Sequence, residues 1–192
     1  MTTKPVFTSY NSFPVNRTPL AKNKNILFLS SANKYNIEGI DWFITNVMAT
    51  LKGVLPSVKL IMGGSVCNVL KNRYSDCENI RFVGQVDDLF EFYSMGDIAV
   101  NPVFNGTGLK IKTFEAMSFG KVLIANPHSV EGVFNLNSCP VKIATSSNDY
   151  VEIITELINN PSEIKNLSDL SVKYISELNN EVKRVFLQTI EC

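Results

Sequence analysis

The sequence predicts an open, doubly wound α/β domain, its mostly parallel sheet covered by helices on both faces. Three observations predict it. Short, almost wholly apolar runs recur along the chain, as strands buried on both faces require. Segments with apolar residues at helical spacing separate them. The links are short and carry Gly, Pro, Asn, Asp or Ser, which end one element and open the next.

Residues 1–24 hold Pro5, Pro14 and Pro19 among polar residues without a sustained period, and read as a lead-in or linker. Ile26, Leu27, Phe28 and Leu29 form the first strand, which ends in Ser30-Ser31. Ile37, Ile40, Ile44, Val47, Met48 and Leu51 then recur at helical spacing, with Asn36 as the expected N-cap and Gly53 and Pro56 as the stop. Val58 to Met62 reads as the second strand, running into Gly63-Gly64, and a helix around Cys67 to Arg73 follows. Ile80 to Gly84 is the third strand. Asp87-Asp88 open a short helix carrying Leu89, Phe90, Phe92 and Tyr93, where acidic residues suit the helix dipole. Ile98 to Asn101 and Val122 to Asn126 are strands flanking a glycine-rich turn and a helix, and Val141 to Ala144 is a further strand. Ser147 is the expected cap of a helix through Val151, Ile154, Leu157 and Ile158. Pro161 opens another helix, and a last one is expected from about Leu170 to Thr189. These readings divide the chain into the α/β domain at 25–165 and a C-terminal helical tail at 166–192.

Composition narrows the partners. Lysine plus arginine and aspartate plus glutamate both total 18, so no general attraction to nucleic acid or an anionic membrane is implied, and any anion site must be local. Cys67, Cys77, Cys139 and Cys192 form no C-x-x-C pair, and with His128 as the single histidine they offer no zinc set. Isolated cysteines favour reduced thiols and a cytoplasmic location. No stretch reaches the roughly 18 apolar residues of a membrane span, and no signal-peptide run opens the chain. Peripheral membrane contact stays open.

The chemistry concentrates between Asn105 and Gly120. Gly106 and Gly108 permit positive φ and let backbone approach a ligand closely. Successive amides there, with the unpaired N–H groups of the following helix, make an anion-binding concavity. Lys112 and Glu115 lie three apart, on one helix face. A lysine there can neutralise phosphate oxygens, and a carboxylate can accept from a ribose's vicinal hydroxyls. Neither G-x-G-x-x-G nor G-x-x-x-x-G-K-[ST] occurs, so this is no dinucleotide fingerprint and no P-loop. Taken alone, the motif also fits a surface turn with a Lys–Glu pair.

The longer run is more specific. Gly106-x-Gly108-Leu109-Lys110-x-Lys112-x-x-Glu115-Ala116-Met117-x-x-Gly120-x-Val122, followed by Ser129-Val130-Glu131-Gly132, resembles the donor-domain signature of GT-B glycosyltransferases of the retaining family 4, or group 1, type. The first strand with Asn36-Ile37-Glu38-Gly39 after it, and the runs ending at Gly63-Gly64 and Gln85-Val86, agree; the resemblance covers about residues 25–160. It implies a Rossmann-like domain, one half of a GT-B fold, that binds the donor's nucleoside diphosphate. Gly106 and Thr107 would belong to the donor nucleotide-sugar site, the amides of Gly108, Leu109 and Lys110 would face the diphosphate, Lys112 would be its cation and Glu115 the ribose carboxylate. Ser31, Lys34, Val86 along the base and Glu131 near the sugar are secondary candidates.

Two departures stand out. Many members carry two glutamates separated by seven residues, whereas Thr107 occupies the first of those positions here. The basic residue common after the first strand is replaced by Ser30, Ser31 and Ala32, with Lys34 a stand-in. The resemblance further implies a hexosyltransferase-type enzyme that retains the anomeric configuration and uses a UDP- or GDP-sugar as substrate. No cofactor and no metal would be required. An N-terminal acceptor-binding domain or partner chain would supply the rest of the machinery, so the isolated chain should be inactive. No catalytic residue is assigned. The alternatives are a nucleotide-sugar epimerase or hydrolase of GT-B-like fold, and a non-catalytic nucleotide-binding or scaffolding module. His128 reads as a solvent-exposed loop residue, Trp42 and Phe43 as packing residues, and Asp87 and Asp88 as helix-start charges.

Overall fold

The computed structural model describes residues 10–106 and 111–190. Six strands form one sheet: β1 (Asn25–Leu29), β2 (Lys59–Gly63), β3 (Ile80–Gly84), β4 (Ile98–Asn101), β5 (Val122–Ala125) and β6 (Lys142–Ile143). Their order is β3-β2-β1-β4-β5-β6, and every pairing is parallel. The predicted doubly wound sheet is therefore present. It reverses direction of growth between β1 and β4, which places a crevice at the carboxyl ends of those two strands.

Side-chain alternation along the strands divides the interior into two layers. Ile26, Phe28, Leu60, Met62, Ile98, Val100, Val122 and Ile124 face one way, against α1 (Lys34–Phe43), α2 (Ala49–Val54), α3 (Val66–Leu70) and α6 (Ser147–Asn159). Leu27, Ile61, Ala99, Leu123 and Ala125 face the other, against α4 (Leu89–Tyr93), α5 (Ile111–Ser118) and the middle of α7 (Pro161–Ile190). Ile164 and Leu167 of α7 belong to the first layer, while Tyr174, Ile175 and Leu178 belong to the second. One long helix thus wraps the edge of the sheet.

Local signals explain most boundaries, with four differences from expectation. Asn33 caps α1, its side chain accepting from the Asn36 amide at 2.9 Å; Asn36 sits inside the helix. Ser146, one residue before the expected Ser147, caps α6 in a reciprocal capping box with Asp149. The first helix passes through a wide π segment (Ile44–Met48) before α2, which keeps Ile44, Val47 and Met48 on the buried side. The final two helices are one. No glycine or proline interrupts residues 162–190, and the charges there occupy the outer face.

The lead-in residues from 10 to 22 lie across the end of the sheet away from the crevice. The Asn16 and Thr18 amides donate to the Ser118 and Phe119 carbonyls, and Asp97 accepts from the amides of Ala21 and Lys22 at 2.8 and 2.9 Å. No described helix is long and apolar enough to cross a membrane.

Candidate functional site

The crevice is built from chain turns that leave β1, β4 and β5. Ser30-Ser31 follow β1 and lead into α1; Pro102 to Gly106 follow β4 and lead towards α5; a 3-10 turn (Pro127–Val130) follows β5. Gly39 lets α1 lie directly on the β4 turn, since a Cβ there would meet the Pro102 carbonyl oxygen at 2.7 Å. Gly106 has φ +127, a conformation open to glycine and strained for other residues. Thr107, Gly108, Leu109 and Lys110 lie outside the described residues.

Two buried contacts pin the start of α5, and a third joins the turns that flank it. Thr113, fully buried, donates to the Ser129 carbonyl at 2.9 Å and accepts from Asn101 Nδ2 at 3.4 Å. Ser129 Oγ donates to the Val103 carbonyl at 2.9 Å. The β4 turn, the β5 turn and α5 are therefore tied to one another.

Lys112 and Glu115 project from this anchored helix and are held by residues far away in sequence. The Lys112 ammonium donates to Asn36 Oδ1 and lies 5.7 Å above the Phe28 ring. Burial lowers its pKa to about 8, against an upward pull from Glu115. Asn36 is itself buried, and its Nδ2 donates to the Ser31 carbonyl at 3.0 Å and to Ser31 Oγ at 3.3 Å. Glu115 Oε1 accepts from the Tyr93 hydroxyl at 2.8 Å. Tyr93 is buried and stacked on Phe119 at 4.6 Å. Burial, and then the Glu115 charge and hydrogen bond, push the Tyr93 phenol well above its ordinary value, so it stays a donor. A carboxylate held through one oxygen keeps acceptor capacity on the other.

The secondary candidates diverge. Ser31 joins the site through Asn36. Lys34 is exposed at the start of α1 and pairs with Glu38 at 3.8 Å along its own helix. Val86 is half-buried and packs with the second layer. Glu131 Oε2 lies 3.0 Å from His128 Nδ1.

His128 differs from its sequence reading. Its side chain is only 23% exposed, and a carboxylate does orient it. Its Nε2 lies 2.9 Å from the Gly106 carbonyl oxygen, so the ring touches the glycine turn itself. Asn36, Tyr93 and His128 are the site residues that the sequence reading missed. For Asn36 a signal existed: a polar residue stands in line with Ile40, Phe43 and Val47 on a buried helical stripe. His128 and Glu131 are spaced to meet across a single turn, while Tyr93 carries no local mark.

The arrangement offers one lysine ammonium, a carboxylate and the amino end of α5 at one crevice. Among the described residues, no three of His, Cys, Asp and Glu gather as a metal-ligand set.

Comparison with known proteins agrees with this architecture. The chain is 26% identical over 173 residues to an uncharacterized 44.6 kDa protein in the cps region of Klebsiella pneumoniae, covering 85% of this chain and 44% of that one. It superimposes on TarM of S. aureus with a TM-score of 0.77 at 18% identity, over 97% of this chain and 39% of TarM. Anabaena HepE in complex with UDP gives 0.74 at 14% identity, over 96% and 57%. The pneumococcal O-GlcNAc transferase GtfA in complex with UDP and GlcNAc gives 0.69 at 17%, over 94% and 38%. At these identities the structural likeness establishes the fold, and the chain spans roughly two fifths to three fifths of each relative. The family described as Glycosyl transferases group 1 matches residues 23–160, a span that takes in every strand of the sheet. This chain belongs to that family, whose members share the GT-B fold.

Proposed function

We propose that the chain is the donor-binding half of a nucleotide-sugar-dependent glycosyltransferase of the retaining, hexosyl-transferring type, working in the cytoplasm without a cofactor. The observation that carries this reading is the pairing of Lys112 and Glu115 on an anchored helix at the topological switch point, each held by a buried partner. A diphosphate at the amino end of α5 would draw Lys112 from the neutral Asn36 amide to phosphate oxygens. Glu115, braced by Tyr93, would accept from the ribose hydroxyls. As the bond from sugar to diphosphate breaks, negative charge grows on the leaving phosphate, where the ammonium and the helix end lower the barrier. The acceptor site and the remaining chemistry would lie on the part of the enzyme that the chain does not span, as an N-terminal domain or partner chain. The complexes of HepE with UDP and UDP-glucose, and of GtfA with UDP and GlcNAc, support the choice of a nucleotide-sugar donor.

Calorimetric titration of the 192-residue chain with UDP, GDP and ADP tests the reading. Binding of one nucleotide, raising thermal stability by mass action, is the expected result. Absence of binding to all three overturns it. Binding without transfer after the preceding domain is restored would favour a non-catalytic nucleotide-binding module.

A further inference from the structure

We infer that Asn36 and Tyr93 are positioning residues that keep Lys112 and Glu115 from pairing with each other. Each holds one of the two charges aside, so that both stay open to a ligand. What the separation serves rests on the nucleotide-diphosphate reading of the site.

A lysine and a glutamate three residues apart on one helix face are neighbours, and the helix itself does nothing to stop them closing into an ion pair. Both are half-buried here, where opposite charges attract more strongly than in open water. Comparable pairs on the outer helices do close. Arg184 meets Glu181 at 2.6 Å with the same spacing, and Lys34–Glu38 and Lys173–Glu177, one residue further apart, meet at 3.8 and 3.9 Å. Among the ion pairs of the described residues, none joins Lys112 to Glu115. A closed pair would spend the ammonium and the carboxylate on each other.

Two neutral groups from distant parts of the chain take the charges instead. Asn36 spends its Nδ2 on Ser31, at 3.0 Å to the carbonyl and 3.3 Å to Oγ, which turns Oδ1 to the Lys112 ammonium. On the other side, the Tyr93 hydroxyl donates to Glu115 Oε1 at 2.8 Å. The phenol cannot follow a carboxylate that swings away. Its ring is stacked on Phe119 at 4.6 Å and set edge-on to Phe92 at 5.5 Å, in a helix whose start is capped by Asp88. Neither partner cancels the charge it holds. A bond with only one charged member is also weaker than one between two charges, so a phosphate can displace the Asn36 amide.

The test follows Lys112 itself, through the pH titration of its ¹³C-labelled Cε by NMR in the ligand-free chain, with the signal assigned by Lys112→Arg. The wild-type midpoint is expected near 8. Tyr93→Phe, which keeps the ring in place, should raise it by about one unit as the freed carboxylate closes on the ammonium. Asn36→Ala should raise it as well. In a Glu115→Gln background both rises should disappear. An unmoved midpoint in Tyr93→Phe overturns the inference, and so does a rise that persists without Glu115, since Lys112 has then merely reached solvent. UDP affinity at neutral pH should fall about tenfold in either single variant. A raised midpoint with unchanged UDP affinity overturns the link between the separation and the ligand. Failure of the wild type to bind UDP, GDP or ADP overturns the nucleotide reading, while the titration, read without ligand, still decides whether the two charges are held apart.

Discussion

Lys112 and Lys121 stand at opposite ends of the step from α5 into β5, and burial draws the pKa of each down to about 8. In both, a carboxylate pulls the other way, Glu115 for Lys112 and Asp97 for Lys121. Their surroundings differ. Lys121 is fully enclosed, its ammonium is 3.9 Å from Asp97, and it has no hydrogen-bond partner among the described residues. Asp97 meanwhile accepts the amides of Ala21 and Lys22, which fasten the lead-in to the sheet. Lys112 is half-buried at the crevice and bonded to a neutral amide, while Glu115 is tied to Tyr93. The same titration thus serves two ends. One ammonium is sealed into the framework, and the other is held by a partner that an incoming anion can replace.

The largest effect should come from the sealed pair. Asp97→Ala leaves Lys121 buried without its counter-charge, and should cost about 3–5 kcal/mol in chemical denaturation. Nucleotide affinity of the folded fraction should stay the same; a matching fall would mean that the two lysines are not separable. At the crevice, Glu115→Ala or Lys112→Ala should weaken UDP or GDP binding by about tenfold or more, with an unfolding cost smaller than that of Asp97→Ala, about 1–3 kcal/mol from the buried partner each leaves behind. Unchanged affinity across UDP, GDP and ADP would sink the assignment of Glu115.

pH divides the two lysines in a third way. Lys112 carries its charge below about pH 8, so nucleotide affinity should hold there and fall as pH rises beyond it. Lys112→Arg should flatten that fall, because a guanidinium does not deprotonate in this range. Stability moves oppositely. The folded-state value of Lys121 lies below the 10.5 of the free side chain, so the unfolded chain binds the proton more tightly between about 8 and 10.5. The cost of burial is full below about pH 8 and is relieved as pH climbs; Lys112, lowered alike, adds its own share, so Lys121→Met should remove only the part of that rise due to Lys121. Asn36→Asp would give Lys112 an ionic partner like that of Lys121. The pH at which affinity falls should then move upward while affinity drops several-fold; an unmoved pH profile would separate Asn36 from Lys112. The smallest effect is expected of Lys34→Ala, whose exposed pair with Glu38 contributes no more than about 0.5 kcal/mol. Its nucleotide affinity should be unchanged, and a clear loss in titration would bring Lys34 into the site.

The strands were legible because burial on both faces leaves little choice of residue: Ile26 to Phe28 and Val122 to Ala125 are almost wholly apolar and wholly inside. Gly106, Lys112 and Glu115 were legible because turn, helix start and same-face spacing are local. Their supports were not. Asn36 lies 76 residues from Lys112, Tyr93 lies 22 from Glu115, and His128 lies 22 from Gly106. Such pairings arise only when the sheet brings the ends of separate strands together. The unbroken course of α7 was missed for a different reason. Its apolar residues serve two layers in succession, so the stripe shifts along the helix and resembles two shorter ones.

The course of α7 also bears on how the protein is made. Asn179 accepts from the Phe13 amide at 2.9 Å and donates to the Phe13 carbonyl at 2.7 Å, joining residues 166 apart. A nascent chain that ends after the first turns of α7 holds every residue of the layer under α1 and α6, but Tyr174, Ile175 and Leu178 have yet to close the opposite one. Residues 16 to 22 of the lead-in find their partners at Asp97, Ser118 and Phe119, but Phe13 must wait until Asn179 has been made. Pairings of such long span slow a folding reaction, and here they make the middle of α7 a condition for completing the second layer.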